Sequence, residues 1–324
     1  MSIEKLEKDY LNDEVSKPEF ISRMYKENHD KLFEYSEFIK NRDIQKIEIT
    51  DDSVIMTSRE LGIKIVCNRF DERIAPIEIL NFRNYEKNDS DMIFRLVNDS
   101  DTVFDIGGNM GWYSIGLYKA KKNIDIHTFE PIPWTYESLV GNAKINGVKI
   151  KINNFGLSDR KQDLTFYFYK EGSGNASAAI MNDDKENIEV KCHVDTLDNY
   201  FKENKLTKID FIKCDVEGAE LLTFKGGVET ISKHNPIVFT EMLRKWSAKF
   251  NYHPNEIIEL FKGMGYGCYF VVGDKLKEIK VMTDETIETN FFFLHNEKHL
   301  NKIKELLNDT TRKTKTRDFT KNKR

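Results

Sequence analysis

The spacing of apolar residues in the first part of the chain predicts helices. Leu32, Tyr35 and Phe38 recur at every third position, which places them on one side of a helix. Pro18 cannot continue a helix that begins before it, so it is expected to separate two short helices within residues 2–42.

A different pattern follows. Apolar and polar residues alternate over residues 47–67 with a break at Gly62, which predicts a small antiparallel hairpin or meander. Helical spacing returns over residues 77–97, where one further helix is expected. The first hundred residues therefore form a mixed α+β extension in this interpretation.

Strand and helix patterns alternate after residue 101, which is typical of a mostly parallel sheet with helices on both faces. Short apolar runs predict strands at 102–106, 124–129, 150–155, 209–214 and 237–240. Helices are predicted at 112–121, 134–145 and 255–264, with another that has Leu221, Phe224, Val228 and Ile231 on one face. Residues 164–194 are expected to form an inserted hairpin around a small-residue loop at 171–177, and the runs 267–272 and 290–294 a closing pair joined by a polar loop. The alternation of these strands and helices predicts an α/β fold.

Composition narrows the class of protein. The chain has 324 residues, of which 39% are apolar and 32% charged, with six prolines, as in soluble globular proteins. Apolar runs stay below the ~18–20 residues of a membrane-spanning helix, and the amino terminus opens with charge, so neither export nor membrane insertion is expected. A net charge of −4 argues against a globally basic nucleic-acid binder.

The cysteines indicate a cellular compartment, and the patterns along the chain indicate how it divides into units. Four scattered cysteines without a C-x-x-C motif indicate reduced thiols in a cytoplasmic protein. We expect three units: an amino-terminal cap or dimerisation subdomain at 1–98, a main domain at 99–300, and a flexible basic tail at 301–324. A solvated end is the simplest interpretation of the tail, and contact with an anionic partner is the other.

The strongest local signal is a glycine-rich turn between a predicted strand and a helix. Gly107, Gly108 and Gly111 would let the backbone approach a ligand, and the following helix would offer free N–H donors. A dinucleotide fingerprint needs a third glycine at position 112, where tryptophan stands. Asp105 would repel a pyrophosphate but suits a ligand with ammonium and sulfonium centres. The turn therefore predicts a site for a cationic ligand.

Carboxylates follow the other predicted strands. Glu130 comes at the end of the second strand, where it can accept ribose hydroxyl hydrogens. Asp215 and Glu217 straddle the turn after the fourth parallel strand, and Glu241 ends the fifth. Glu220 lies in the first turn of the next predicted helix. A favourable interaction with the helix dipole explains an acidic residue there as well as a role in a ligand site does.

Five motifs in order and in register resemble the FkbM family of S-adenosylmethionine-dependent methyltransferases. They are VFDIGGNMG at 103–111, FEP at 129–131, GLSD at 156–159, VDTLD at 194–198 and IDFIKCDVEGAE at 209–220. The resemblance covers roughly residues 100–273. It implies a Rossmann-like class I methyltransferase sheet, mostly parallel with an antiparallel last strand. The family turn usually has alanine where Gly108 stands.

The resemblance also implies a cofactor site. Its members bind S-adenosylmethionine. The matching positions here form three groups, which would contact the methionine part of the cofactor, its ribose and its adenine, in that order. These positions are Asp105, Gly107, Asn109 and Gly111, then Glu130 and Pro131, then Ser158 and Asp159, with Asp215 at the edge of the site.

Methylation of a hydroxyl group is the implied reaction, with a sugar, a nucleotide sugar or a glycan as the expected acceptor. A base must remove the hydroxyl proton, and we expect Asp215 first, then Glu217, Glu241 and His193. Asp215 and Glu241 are alternatively ligands of a divalent ion, Mg²⁺ or Ca²⁺. The first hundred residues are expected to shape the acceptor pocket or a homodimer contact.

Two other functions stay open. Asp89-Ser90-Asp91 or Asp99-Ser100-Asp101 would fit the metal-binding D-x-D motif of a glycosyltransferase, although such patterns arise by chance in a highly charged chain. A binding module that has kept the fold and lost the chemistry is the other alternative.

Overall fold

The computed structural model describes residues 2–168, 177–179 and 188–307. The predicted loop at 171–177 lies outside these residues except for Ser177. Of the flexible tail predicted at 301–324, the first residues belong to a helix at Leu300–Leu306, and residues 308–324 lie outside the described ranges. Within the described ranges, the helices are all too short or too polar to cross a membrane.

Three helices open the chain. They are α1 (Ile3–Leu11), α2 (Lys17–Met24) and α3 (Asp30–Phe38). A wider turn of π type at Tyr25–His29 joins α2 to α3, so residues 17–38 form one helical run. Ser16 caps α2 by accepting the Glu19 N–H, and Pro18 lies in its first turn, where a missing N–H costs little.

A small antiparallel sheet follows, as the alternation predicts. Its strands are β1 (Ile44–Ile49), β2 (Val54–Ser58) and β3 (Lys64–Cys67), in that spatial order. The Asn146 side chain is bonded to both the N–H and the C=O of Lys64, and the Val66 N–H donates to Asn142. The amino-terminal sheet is thereby attached to the helix that carries these asparagines.

The helix predicted over residues 77–97 is wrong as a single element. The structure has α4 (Ala75–Phe82) and α5 (Lys87–Leu96) instead. Arg83 and Glu86 adopt positive φ angles of 79° and 41°, which end one helix and redirect the chain into the next.

The rest of the described chain alternates strands and helices. The strands are β4 (Thr102–Ile106), β5 (Asp125–Phe129), β6 (Lys151–Asn153), β7 (Gly156–Leu157), β8 (Gln162–Phe168), β9 (Ile188–Asp195), β10 (Phe211–Cys214), β11 (Ile237–Glu241), β12 (Tyr266–Val272), β13 (Lys275–Ile279) and β14 (Asn290–His295). The helices are α6 (Trp112–Ala120), α7 (Pro133–Asn146), α8 (Leu197–Glu203), α9 (Glu220–Lys225), α10 (Val228–His234), α11 (Arg244–Ser247), α12 (Asn255–Gly263) and α13 (Leu300–Leu306).

The central sheet has eight strands in the order β13-β12-β14-β11-β10-β4-β5-β6. Strands β11, β10, β4, β5 and β6 are parallel, and β12, β13 and β14 pair antiparallel. The predicted Rossmann-like sheet is confirmed, but the expected polar loop contains an extra edge strand, β13. Apolar clusters cover both faces of the sheet, as a mostly parallel sheet requires.

A second small sheet contains the inserted hairpin. Strands β8 and β9 are antiparallel as predicted, and β7 adds to β9 in parallel. The single helix predicted through Leu221 and Ile231 is instead α9 and α10, which are separated at Gly226 and Gly227. A Cβ on Gly226 would lie 2.0 Å from the Ser158 carbonyl oxygen, so a close backbone contact occupies this break.

Candidate functional site

A cavity of about 470 Å³ opens at the carboxyl ends of β4, β5, β10 and β11. Parallel strands end at a common edge, and the turns that follow them bring polar side chains together there. The lining includes Asn109, Glu130, Ser158, Asp215, Glu217 and Glu241. Residues of the amino-terminal part also line the cavity, with Glu78, Tyr85 and Glu86 among them.

The glycine turn after β4 is required by packing within the protein. Gly107 has φ +78°, and a Cβ there would lie 1.9 Å from the Asp215 carbonyl oxygen. Gly111 has φ +92°, and its Cβ would lie 2.4 Å from Leu139. These glycines therefore bring the turn against the β10 turn and α7, whereas the sequence suggested that they make room for a ligand.

The N–H groups of the turn are also used by the protein. Gly107 and Gly108 both donate to the Phe129 carbonyl at 3.0 Å, and the Asn109 N–H donates to Glu130 Oε2. These three N–H groups are therefore satisfied within the protein, and the free donors that the sequence predicts belong to the helix that follows the turn. Within the described part of the chain, the buried Asn109 Oδ1 has no hydrogen-bond partner. Asn109 lines the cavity, so this unsatisfied amide oxygen belongs to a residue of the cavity wall.

Asp105 lies behind the turn and does not line the cavity. Its side chain is buried, with Oδ2 accepting from Ser114 Oγ at 2.6 Å and Oδ1 3.6 Å from Lys213 Nζ. Burial raises the pKa of this carboxyl, and the nearby Lys213 ammonium opposes the rise. The sequence placed Asp105 against a ligand cation, but the cation that it faces here is Lys213.

Glu130 and Pro131 line the cavity at the end of β5. The two carboxylate oxygens of Glu130 accept the N–H groups of Ile132 and Asn109, each at 3.0 Å. Burial raises the pKa of Glu130 to about 7. Glu130 therefore joins the β5 turn to the glycine turn, and its contact with a ribose stays a prediction.

The adenine side of the site was predicted at two neighbouring residues. Ser158 lines the cavity and donates its N–H to the Asp195 carbonyl at 2.8 Å. Asp159 is not among the lining residues, and its carboxylate accepts from Ser158 Oγ at 3.3 Å. Only Ser158 is therefore placed to contact a ligand in this structure.

Three of the predicted catalytic carboxyl groups share the cavity. Asp215 lies 3.4 Å from Lys213 Nζ, and Glu217 has a positive φ of 52°. Burial raises the pKa of Glu241 to about 10, with nearby Asp215 and Glu217 adding to the rise. The pKa of Glu217 is raised well above its ordinary value by burial and by Asp215. The cavity thus combines an ion-paired aspartate with two glutamates that favour the protonated form at neutral pH.

Glu220 has a structural role. It is buried, does not line the cavity, and its Oε1 accepts the N–H groups of Val216 and Gly218. The sequence left two interpretations open for Glu220, a role in the ligand site and a role at the start of the helix. The geometry favours the second.

His193 is the one predicted catalytic residue that lies away from the cavity. Alternation along β9 buries Cys192 and Val194, so His193 lies on the exposed side of the strand. Its Nδ1 is 3.1 Å from Asp163, across the hairpin. We therefore withdraw His193 as a candidate base, because the hairpin does not bring it to the sheet edge.

The expected divalent ion has no structural support. In the ranges that the structure describes, no three histidine, cysteine, aspartate or glutamate side chains are grouped as metal ligands. Asp215 and Glu241 line the same cavity, as does Glu217, but these side chains are not grouped as ligands of one ion. We derive no step from a metal.

Two residues that sequence reasoning overlooked are central to the site. Lys213 is buried in β10, donates to the Gly107 carbonyl at 2.8 Å, and pairs with Asp105 and Asp215. Glu86 accepts a 2.6 Å hydrogen bond from the Tyr113 hydroxyl, and burial raises its pKa. The sequence did carry a signal for Lys213, a lysine within the apolar run FIKC. The position of Glu86 depends on the break between α4 and α5, which the sequence did not predict.

Comparisons with known proteins agree with these features. Methyltransferase 1 of Beauveria bassiana is 26% identical over 148 residues, which are 40% of this chain and 59% of that protein. Hexuronic acid methyltransferase AglP of Haloferax volcanii is 25% identical over 150 residues, which are 45% of this chain and 58% of that protein. The chain thus spans about three fifths of the length of these curated relatives.

A solved structure and a family profile complete the comparison. The crystal structure of methyltransferase FkbM from Methylobacillus flagellatus KT aligns with a TM-score of 0.40 and 18% identity, over 61% of this chain and 44% of that one. Residues 105–268, about half of the chain, match the methyltransferase FkbM domain. They contain the glycine turn, Glu130 and the Asp215 turn, so the chain belongs to the FkbM methyltransferase family.

Proposed function

We propose that this protein is an S-adenosylmethionine-dependent O-methyltransferase that acts on a hydroxyl group of a small molecule, with a sugar, nucleotide sugar or glycan as the acceptor. One observation carries the proposal. A single cavity joins the glycine turn of a methyltransferase-type sheet to three carboxyl groups, those of Asp215, Glu217 and Glu241.

The residues of the cavity fit the cofactor. The unpartnered Asn109 Oδ1 and the ion-paired Asp215 carboxylate are acceptors, which suit the ammonium and sulfonium charges of S-adenosylmethionine. Asn109, Glu130 and Ser158 would hold it. When bound, the cofactor supplies an electrophilic methyl group.

Asp215 is the proposed base. It ends β10 at the cavity, and its ion pair with Lys213 fixes its side chain near the glycine turn. A base at this position accepts the acceptor's hydroxyl proton as the oxygen becomes methylated, which contributes on the order of 10²–10⁴-fold to the rate. Glu217 and Glu241, with raised pKa values, are better suited to donate hydrogen bonds to other acceptor oxygens.

The acceptor side of the cavity supports a hydroxyl-rich substrate. Glu78, Asn84 and Glu86 line it from the amino-terminal part, together with the Tyr85 ring. Carboxyl and amide groups bind hydroxyls, and an aromatic ring covers the apolar face of a sugar. A relative named for hexuronic acid methylation agrees with this class of acceptor. The four free cysteines are consistent with a reducing cytoplasm.

The glycosyltransferase alternative has no support in the geometry. Asp89 and Asp91 both lie in α5. Asp89 accepts a hydrogen bond from Asn290, and Asp91 pairs with Lys87. Residues 99–101 precede β4, at the end of the strand opposite the cavity. Nothing in the site favours a silent binding module either, because the carboxyl groups that the proposed chemistry needs are present in the cavity.

Methyl transfer to a panel of acceptors tests the proposal. Purified protein is incubated with S-adenosylmethionine and neutral sugars, uronic acids or nucleotide sugars, and S-adenosylhomocysteine formation and acceptor mass are measured. We expect one class to gain a methyl group, and Asp215→Asn to lower turnover by about 10²–10⁴-fold with cofactor affinity changed less than tenfold. Full turnover in Asp215→Asn would exclude it as the base; cofactor binding without transfer to any acceptor would favour the silent module.

A further inference from the structure

The helical run at residues 17–38 exposes an unusual amount of apolar surface. All nine residues of α3 are exposed, and α2 and α3 contain no buried residue. The exposed fractions of Ile21, Leu32 and Phe33 are 56%, 55% and 63%. Tyr25, Tyr35 and Phe38 are also exposed.

A helix in this state needs a partner for its stability. In water, helices gain most of their stability from packing an apolar face, and short isolated helices are marginal. Within the chain, the run packs on α1 through the stacked rings of Tyr10 and Phe20, at 4.5 Å, and Arg42 lies over the Phe38 ring. These contacts secure its two ends and leave the apolar side chains between them exposed.

Charge along the run indicates which partner fits. Its amino-terminal half, residues 17–26, has three basic side chains and one acidic side chain, for a net charge of +2. Its carboxyl-terminal half, residues 27–38, has four acidic side chains and one basic side chain, for a net charge of −3. Local pairs of Arg23 with Glu19 and Glu27 leave these net charges of the halves unchanged.

We propose that residues 17–38 form a homodimer contact in which the runs of two copies pack antiparallel. An antiparallel arrangement places the basic half of each run beside the acidic half of the other and brings the exposed apolar side chains together. It also has the twofold symmetry of a closed dimer, in which both copies use the same surface. A parallel arrangement would place like charges side by side.

Reciprocal charge reversal in the full-length protein tests this contact. Lys17→Glu with Lys26→Glu makes the first half acidic, and Glu34→Lys with Glu37→Lys makes the second half basic. Each pair of changes should weaken the dimer at least tenfold, because both halves then have the same sign. All four changes together should restore it. Lys233→Glu, an exposed change on α10, serves as the control and should leave association unchanged.

Sedimentation equilibrium over micromolar concentrations gives the readout. We expect wild-type protein and the fourfold variant to approach twice the 38.0 kDa chain mass, and each half-reversed variant to remain near one chain mass. Leu32→Ser with Phe33→Ser should also give monomers. The proposal would be overturned by a wild-type monomer, by dimers of the half-reversed or serine variants, or by a monomer that floats with anionic lipid vesicles through this helix.

Discussion

Lys213 connects the two turns that build the cavity. Its ammonium contacts the Gly107 carbonyl, Asp105 and Asp215, so it joins the ends of β4 and β10. Burial alone would lower the pKa of this lysine, but Asp215 and Asp105 more than offset the effect, and the pKa is raised. Lys213 therefore holds its charge inside the protein and positions Asp215 for the proposed role.

Removing this charge should destabilise the fold strongly. Lys213→Met keeps the length of the side chain but leaves the buried Asp105 without its cation, so we expect a loss of about 3–5 kcal/mol in the free energy of unfolding. Adding Asp105→Asn should recover part of this loss, because the second change removes the uncompensated charge. Urea unfolding of the single and double variants measures the coupling, and strictly additive losses would show that the two residues do not interact.

Glu241 should make stability depend on pH. Its pKa is raised from 4.5 to about 10 by burial and by neighbouring carboxyl groups, so between these values the folded state binds more protons than the unfolded state. Stability therefore falls as pH rises through this window. Glu241→Gln, which stays neutral, should raise the melting temperature at pH 9 by several degrees and leave it nearly unchanged at pH 5. An equal shift at both pH values would contradict the assignment.

Among the elements, the break between α9 and α10 affects the cavity most directly. A Cβ on Gly226 would collide with the backbone of Ser158, which lines the cavity. Gly226→Ala should therefore lower the free energy of unfolding by about 1–3 kcal/mol, because backbone on both sides must move.

Gly141→Ala is the matched control for this change. Gly141 lies inside α7, and a Cβ there meets no atom within 4 Å. Alanine is favoured over glycine in a helix, so this variant should gain up to about 1 kcal/mol. Thermal unfolding of both variants is the measurement, and equal effects would show that the contact with Ser158 is not limiting.

The same break shows how far the sequence could predict the elements. The apolar period through Leu221, Phe224 and Ile231 is continuous, so a single helix was the natural prediction. What interrupts it is a contact with a loop far away in the chain, which periodicity does not record. Strand β13 was missed for a different reason: its sequence KLKEI is charged, as suits an edge strand, and only Leu276 in it is buried.

For the whole molecule, the parallel sheet and the edge that carries the cavity could be predicted from the sequence. The glycine turn, Glu130 and Asp215 each follow a short apolar run, and parallel strands bring their ends together. Side-chain direction could not be predicted: Asp105 is oriented inward to Lys213, and His193 lies on the exposed side of its strand. These orientations depend on burial and pairing across the fold.

Titration calorimetry with S-adenosylmethionine tests the central claim, that the cofactor binds at the glycine turn. Asn109→Gly removes the unpartnered amide oxygen and tolerates the positive φ of 47°, while Asn235→Gly makes the same change at φ 48° outside the cavity. We predict micromolar binding by wild type and Asn235→Gly, and about tenfold weaker binding by Asn109→Gly, the loss of one hydrogen bond to a charged group. No binding by folded wild type, or equal affinity in all three, would contradict the account.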